Sequence, residues 1–132
     1  MPSIYAGLTF LFPMNDDLQI EHLWVVATNP NEDELVAVVN ITTLRGAKDQ
    51  TVVLRSGEHQ FIKHDSCVNY TMAEIVKVEK LQERFGSGRA KRHSDMTANL
   101  TALVLGGFIA SPFTKNRIVD FIRDYKGRGL GS

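Results

Sequence analysis

The segment over residues 57–70, GEHQFIKHDSCVNY, brings two histidines, an aspartate, a serine and a tyrosine close together in the chain. His59 and His64 are natural proton carriers. A neutral imidazole accepts a proton and an imidazolium returns it near neutral pH, so a histidine pair suits acid–base cleavage of a phosphodiester. His22 stands at the start of one apolar run, and Thr43 closes another. The hydroxyls of Thr43 and Ser66 can donate to a phosphate or a developing oxyanion. Neither lies in the elbow motif that would make it a nucleophile. Lys63 and Arg45 flank these positions and are candidate contacts to a nucleic-acid backbone. Phe61 and Ile62, between the histidines, read as an anchor into the core. Polar groups interleaved with such anchors at a strand entrance can point together into a cleft.

Each residue also has a structural reading. His59 suits a turn, His64 a buried hydrogen-bonded position, and His22 a strand edge facing water. Thr42-Thr43 is ordinary strand sequence, and Trp24 and Tyr70 suit a core or barrel rim. The HxxxxH spacing is not a helical zinc pair, and no CxxC or HExxH accompanies it. No metal or other cofactor is therefore expected, and a metal-dependent hydrolase using the histidines ranks last among the functional readings.

The elements that must position these groups are mostly strands. Residues 8–12, 23–28, 35–43 and 51–54 are β-branched or aromatic runs separated by turn residues, including Asn15-Asp16-Asp17 and Asn29-Pro30-Asn31. Residues 65–70 and 74–78 supply two more short runs. The second and third runs are apolar at nearly every position, as strands covered on both sides or closed into a barrel should be. Ser94 or Asp95 can cap a helix over residues 96–109, weakened at its end by Gly106-Gly107. Ser111-Pro112 then opens a second helix with Ser as N-cap and Pro in the first turn. The predicted architecture is mainly β: a compact barrel or bent sheet of five to six antiparallel strands, then two helices.

The whole chain of 132 residues reads as a single domain, with a barrel over 1–80, a basic loop over 81–94, helices over 95–127 and a frayed tail over 128–132. Fifteen basic residues balance fifteen acidic ones, which excludes gripping nucleic acid by bulk charge; any polyanion must meet a local patch. Six cations fall within residues 77–92, and Arg89, Lys91 and Arg92 form the candidate strip for a nucleic-acid backbone. GSGRAK has no following GK[ST] and gives nucleotide hydrolysis little support. The lone Cys67 excludes an internal disulfide and suits a reducing compartment. With no cationic leader before an apolar run and no membrane-length apolar stretch, a cytoplasmic location without membrane association is expected.

From Gly7 to Val78 the order of segments resembles the MazF/PemK-like family, small SH3-like barrels best known as RNA-cutting toxins of toxin–antitoxin pairs. Gly7-Leu8-Thr9-Phe10 resembles the opening strand. His22-Leu-Trp-Val-Val-Ala-Thr28 resembles the Arg-Pro-apolar strand, and Val38-Val39-Asn40-Ile41-Thr42-Thr43 the strand ending in a Thr-Ser/Thr pair. Phe61 to Val78 resembles the later segment in which a Ser begins a strand. The resemblance implies an SH3-like barrel, a metal-independent endoribonuclease acting on single-stranded RNA, an antitoxin partner and a homodimer. His22 stands where the family has Arg, and Leu23 replaces the following Pro; Thr43 keeps its position. A histidine could take over the acid or base role but is a weaker fixed positive charge than a guanidinium. A non-catalytic module binding a protein or nucleic acid is the alternative that this departure favours.

Overall fold

Strands β2 (Glu21–Val26) and β3 (Leu35–Thr43) are apolar without interruption over Leu23–Val26 and Leu35–Val39 because both of their faces are covered there. Leu23, Val25, Ala37, Val39 and Ile41 point into one core; Trp24, Val26, Val36 and Val38 alternate with them and point into a second. The computed structural model describes residues 2–13 and 20–129. The turn expected at Asn15-Asp16-Asp17 and the last three residues of the expected frayed tail lie outside them.

With β1 (Thr9–Pro13), β4 (Val53–Leu54), β5 (Ser66–Lys77) and β6 (Lys91–His93), these strands form one antiparallel sheet in the order β4-β5-β3-β2-β1-β6. The sheet curls into a half-barrel, so the mainly β architecture with helices at its C-terminal side is the observed one. Helices α2 (Ala98–Ala110) and α3 (Asn116–Gly127) cover the first core through Val104, Phe108, Ile118 and Ile122. Helix α1 (Val78–Gly86) covers the second through Val78 and Leu81.

Several boundaries differ from the sequence reading. The runs at 65–70 and 74–78 are parts of one long strand, β5. The basic stretch is not a loop throughout: α1 occupies its beginning, making three helices rather than two, and β6 pairs with β1 near its end. Val78, Leu81 and the partly buried Phe85 form the helical stripe, which six nearby cations obscure in the sequence. Thr97, rather than Ser94 or Asp95, caps α2 by accepting from the Leu100 N–H at 3.3 Å. Ser111-Pro112 opens a turn, in which Ser111 Oγ donates to Asp49 at 2.7 Å and accepts from the Phe113 N–H at 3.1 Å, and α3 begins four positions after Pro112. Arg128 pairs with Asp124 and Glu32 at 3.0 and 3.1 Å, so the expected fraying does not begin there.

The curl has an identifiable origin. Strand β5 pairs with β3 in two registers, Thr43↔Ser66 through Asn40↔Asn69 and then Val38↔Glu74 through Leu35↔Lys77. Residues 70–73 therefore oppose Val39 alone, and such a bulge bends a strand. Tyr70 leaves the sheet there and runs under α2, where its hydroxyl donates to the Val104 carbonyl at 2.7 Å and its ring meets Phe108 edge-on. Burial pushes the Tyr70 phenol far above its usual pKa, so it remains a hydrogen-bond donor.

Gly107 makes this approach possible. A Cβ there would lie 1.9 Å from the Tyr70 hydroxyl and 2.6 Å from Val52 Cγ2, whereas a Cβ at Gly106 meets nothing within 4 Å. Gly107→Ala should therefore destabilise the fold by about 3 kcal/mol. Gly106→Ala should stabilise it by about 0.5–1 kcal/mol through helix propensity. Urea unfolding of the two variants checks this, and equal effects would contradict the proposed packing.

Candidate functional site

The loop over residues 55–65 is closed by hydrogen bonds near its base. The Asp65 carboxylate accepts from the Ser56 backbone N–H at 3.0 Å and from the Arg55 guanidinium at 3.1 Å. Ser56 Oγ donates to the Lys63 carbonyl at 2.8 Å, and the Gly57 N–H donates to the Ile62 carbonyl at 2.8 Å. The Ser56 N–H first, and Arg55 next, hold the Asp65 carboxyl below its ordinary pKa. Inside the loop only Ile62 is an anchor; Phe61, expected beside it in the core, is 38% exposed.

His59 is the loop's buried bracket. Its Nδ1 accepts from the Phe61 N–H at 3.0 Å, which leaves the proton on Nε2, facing the Ser94 carbonyl at 2.5 Å. Thr9 donates its hydroxyl to the same carbonyl. With both ring nitrogens engaged and the side chain buried, His59 is built to hold the loop against β1 and the chain after β6. The His93 ring lies 5.1 Å from His59 and 5.7 Å from Phe61. Burial first, and then the neighbouring His59 ring and the charge of Lys63, push the His93 pKa below its ordinary value.

The other predicted residues meet at the ends of β2, β3 and β5. Thr43 pairs with Ser66 in register, and the loop residues preceding Ser66 turn back over the sheet edge. An open cleft of about 430 Å3 results, lined by His22, Thr43, Phe61, Lys63, His64 and Ser66. The Leu44 N–H donates to the Asp65 carbonyl at 3.0 Å, joining the two chain segments that leave the sheet side by side. His64 and Lys63 are exposed, and His22 is half-buried. Strand alternation gives His22 the parity of Trp24 rather than Leu23, so its side chain lies toward the second core's face of the sheet and His22 lines the cleft only along its rim. Ser66 Oγ donates to the His64 carbonyl at 2.8 Å, which makes Ser66 a positioning residue for His64.

Thr43 is also shared by two neighbouring depressions. One adds Arg45 to Lys63 and His64. The other, of about 400 Å3, continues past Arg45 and Lys48 to Asn69 and Phe113. Its far wall is fixed by Asp49, a buried carboxylate that accepts from Ser111 Oγ at 2.7 Å and from Thr51 Oγ1 at 2.7 Å. Ser111 Oγ in turn accepts from the Phe113 N–H at 3.1 Å.

The basic strip has a different setting. The Arg89 guanidinium lies 5.5 Å from the Phe12 ring centre, Lys91 pairs with Glu21 at 3.5 Å, and Arg92 pairs with Asp95 at 3.4 Å. It touches the cleft indirectly, where Lys91 pairs with Glu21 on the rim. Sequence reasoning passed over Lys48, Asp49, His93 and Phe113; an aspartate followed two residues on by a threonine is an Asx-turn signal that could have marked Asp49. Cys67 is buried, and burial pushes its thiol up, away from nucleophilic use. Among the described residues, no three His, Cys, Asp or Glu side chains are grouped to hold a metal ion, and no helix is long and apolar enough to cross a membrane.

Because Asp65 is more acidic in the fold than its ordinary 3.8, its contribution to stability is complete above about pH 4 and lost as pH falls through the lower folded value. Asp65→Asn should therefore flatten the acid limb of the stability–pH curve and raise amide exchange at Ser56. Unchanged exchange at Ser56 would show that the carboxylate does not hold the loop.

In comparisons with known proteins, no family model matches the chain, and neither a curated protein nor a solved structure shows significant similarity to it.

Proposed function

We propose that the chain is a MazF/PemK-like endoribonuclease that cleaves single-stranded RNA without a metal, using the cleft around Thr43. The observation that carries this reading is the convergence of His22, Thr43, Lys63 and His64, from three separate segments, on one open cleft. Cations that belong to no ion pair among the described residues, Arg45, Lys48 and Lys63, line the same set of depressions. A phosphodiester is the ligand class that matches imidazoles, a hydroxyl and fixed positive charge together.

On this reading one imidazole removes the proton from a ribose 2′-hydroxyl as its oxygen attacks the adjacent phosphorus. The other imidazole protonates the departing 5′-oxygen as the P–O bond breaks. The products are a 2′,3′-cyclic phosphate and a 5′-hydroxyl, and the enzyme's two protonation states are exchanged. Lys63 and Arg45 offset the negative charge that builds on the non-bridging oxygens, and Thr43 Oγ1 donates a hydrogen bond to one of them. Within a toxin–antitoxin pair, the restraining partner would be an antitoxin and the working form a homodimer.

The test is incubation of purified protein with RNA in EDTA. Wild type should cleave, and His64→Ala and His22→Ala should each lose about 100-fold or more in rate, the usual worth of a positioned acid or base. Cleavage by all three at one rate would remove the histidines from the mechanism. Binding of RNA without cleavage would favour the second reading, a non-catalytic module, which the replacement of the family's Arg by His22 also favours.

A further inference from the structure

Exposed aromatic rings are scarce on this protein. Among the described residues, every Phe, Tyr and Trp is at least partly buried except Phe61 and Phe113, at 38% and 42% exposure. Both line the depressions that share Thr43, one on each side: Phe61 with His64 and Lys63, Phe113 with Arg45 and Lys48. Each ring is held on its outward course by a buried polar side chain. His59 takes the Phe61 N–H, and Asp49 fixes Ser111, whose hydroxyl takes the Phe113 N–H. Both brackets are only 6% exposed.

An exposed ring costs apolar hydration, so two rings fixed outward beside free cations call for a ligand with flat apolar faces and negative charge. Unpaired nucleotides have this combination: bases stack on aromatic side chains while cations track the phosphates. A double helix hides its base faces and cannot use the rings. We propose that Phe61 and Phe113 are base-stacking platforms on either side of Thr43, gripping the two nucleotides that flank the bound phosphodiester. This rests on the phosphodiester reading of the cleft and specifies the substrate as unpaired at both flanking positions.

The test measures binding of a short 2′-O-methyl RNA oligonucleotide, which has no free 2′-hydroxyl, and of the same strand made abasic. Phe61→Ala and Phe113→Ala should each weaken binding of the base-containing strand about tenfold or more. Binding of the abasic strand should stay unchanged, and Phe61→Trp and Phe113→Trp, which keep a ring face, should bind as wild type. Equal affinity of wild type and both Ala variants for the base-containing strand overturns the platforms while leaving the phosphodiester site in place. Equal weakening for both strands also overturns them, since the loss is then not a base contact. Failure of wild type to bind either strand overturns the phosphodiester reading together with the platforms.

Discussion

The break in register between β3 and β5 sets the geometry of the rest of the molecule. Residues 70–73 of one strand oppose a single residue of the other, so β5 bends and carries Tyr70 out beneath α2. The tyrosine hydroxyl satisfies the Val104 carbonyl, its ring packs on Phe108, and Gly107 leaves the room that this approach requires. Helix α2 and the sheet are thereby fixed to each other at one point deep in the first core. On the near side of the break, Ser66 stands opposite Thr43, and the chain segments before and after them leave the sheet together. The cleft at that end is a consequence of the bend.

Buried polar side chains then shape what the bend leaves open. His59 and Asp49 are both almost inaccessible and fully engaged, and each fixes the chain next to an exposed phenylalanine. Burying such groups is tolerable only when their hydrogen bonds are made, and both satisfy that condition. The charge distribution follows the same division. Cations crowded together in the sequence, at 84–92, are spent in the fold on Phe12, Tyr5, Glu21 and Asp95. Cations dispersed in the sequence, Arg45, Lys48 and Lys63, gather around Thr43 and form no ion pair among the described residues.

Much of the sheet was legible in the chain. Runs of β-branched residues marked β2 and β3 because a strand covered on both faces must be apolar throughout, and β3 was bounded correctly at 35–43. The long β5 was split in two because the bulge at 70–73 interrupts alternation where Tyr70 and Ala73 turn to the same core. β6 carries Lys-Arg-His and owes its strand form to pairing with β1, which no local propensity reveals. In the site, residue chemistry pointed to His22, Thr43, Lys63 and His64. It could not separate His64, which is exposed, from His59, which is buried, because that difference depends on Ser94 and Thr9, distant in sequence. Phe113 was absorbed into an expected helix start, since its exposure depends on the tie between Ser111 and Asp49.

The most direct test of the cleft's assignment is to follow all four imidazoles by NMR while a single-stranded 2′-O-methyl oligonucleotide is added. The resonances of His22 and His64 should move together and saturate at one ligand ratio, while those of the buried His59 stay in place. Movement confined to His93 in β6, or no movement at His22 and His64, would contradict the assignment of the Thr43 cleft as the phosphodiester site.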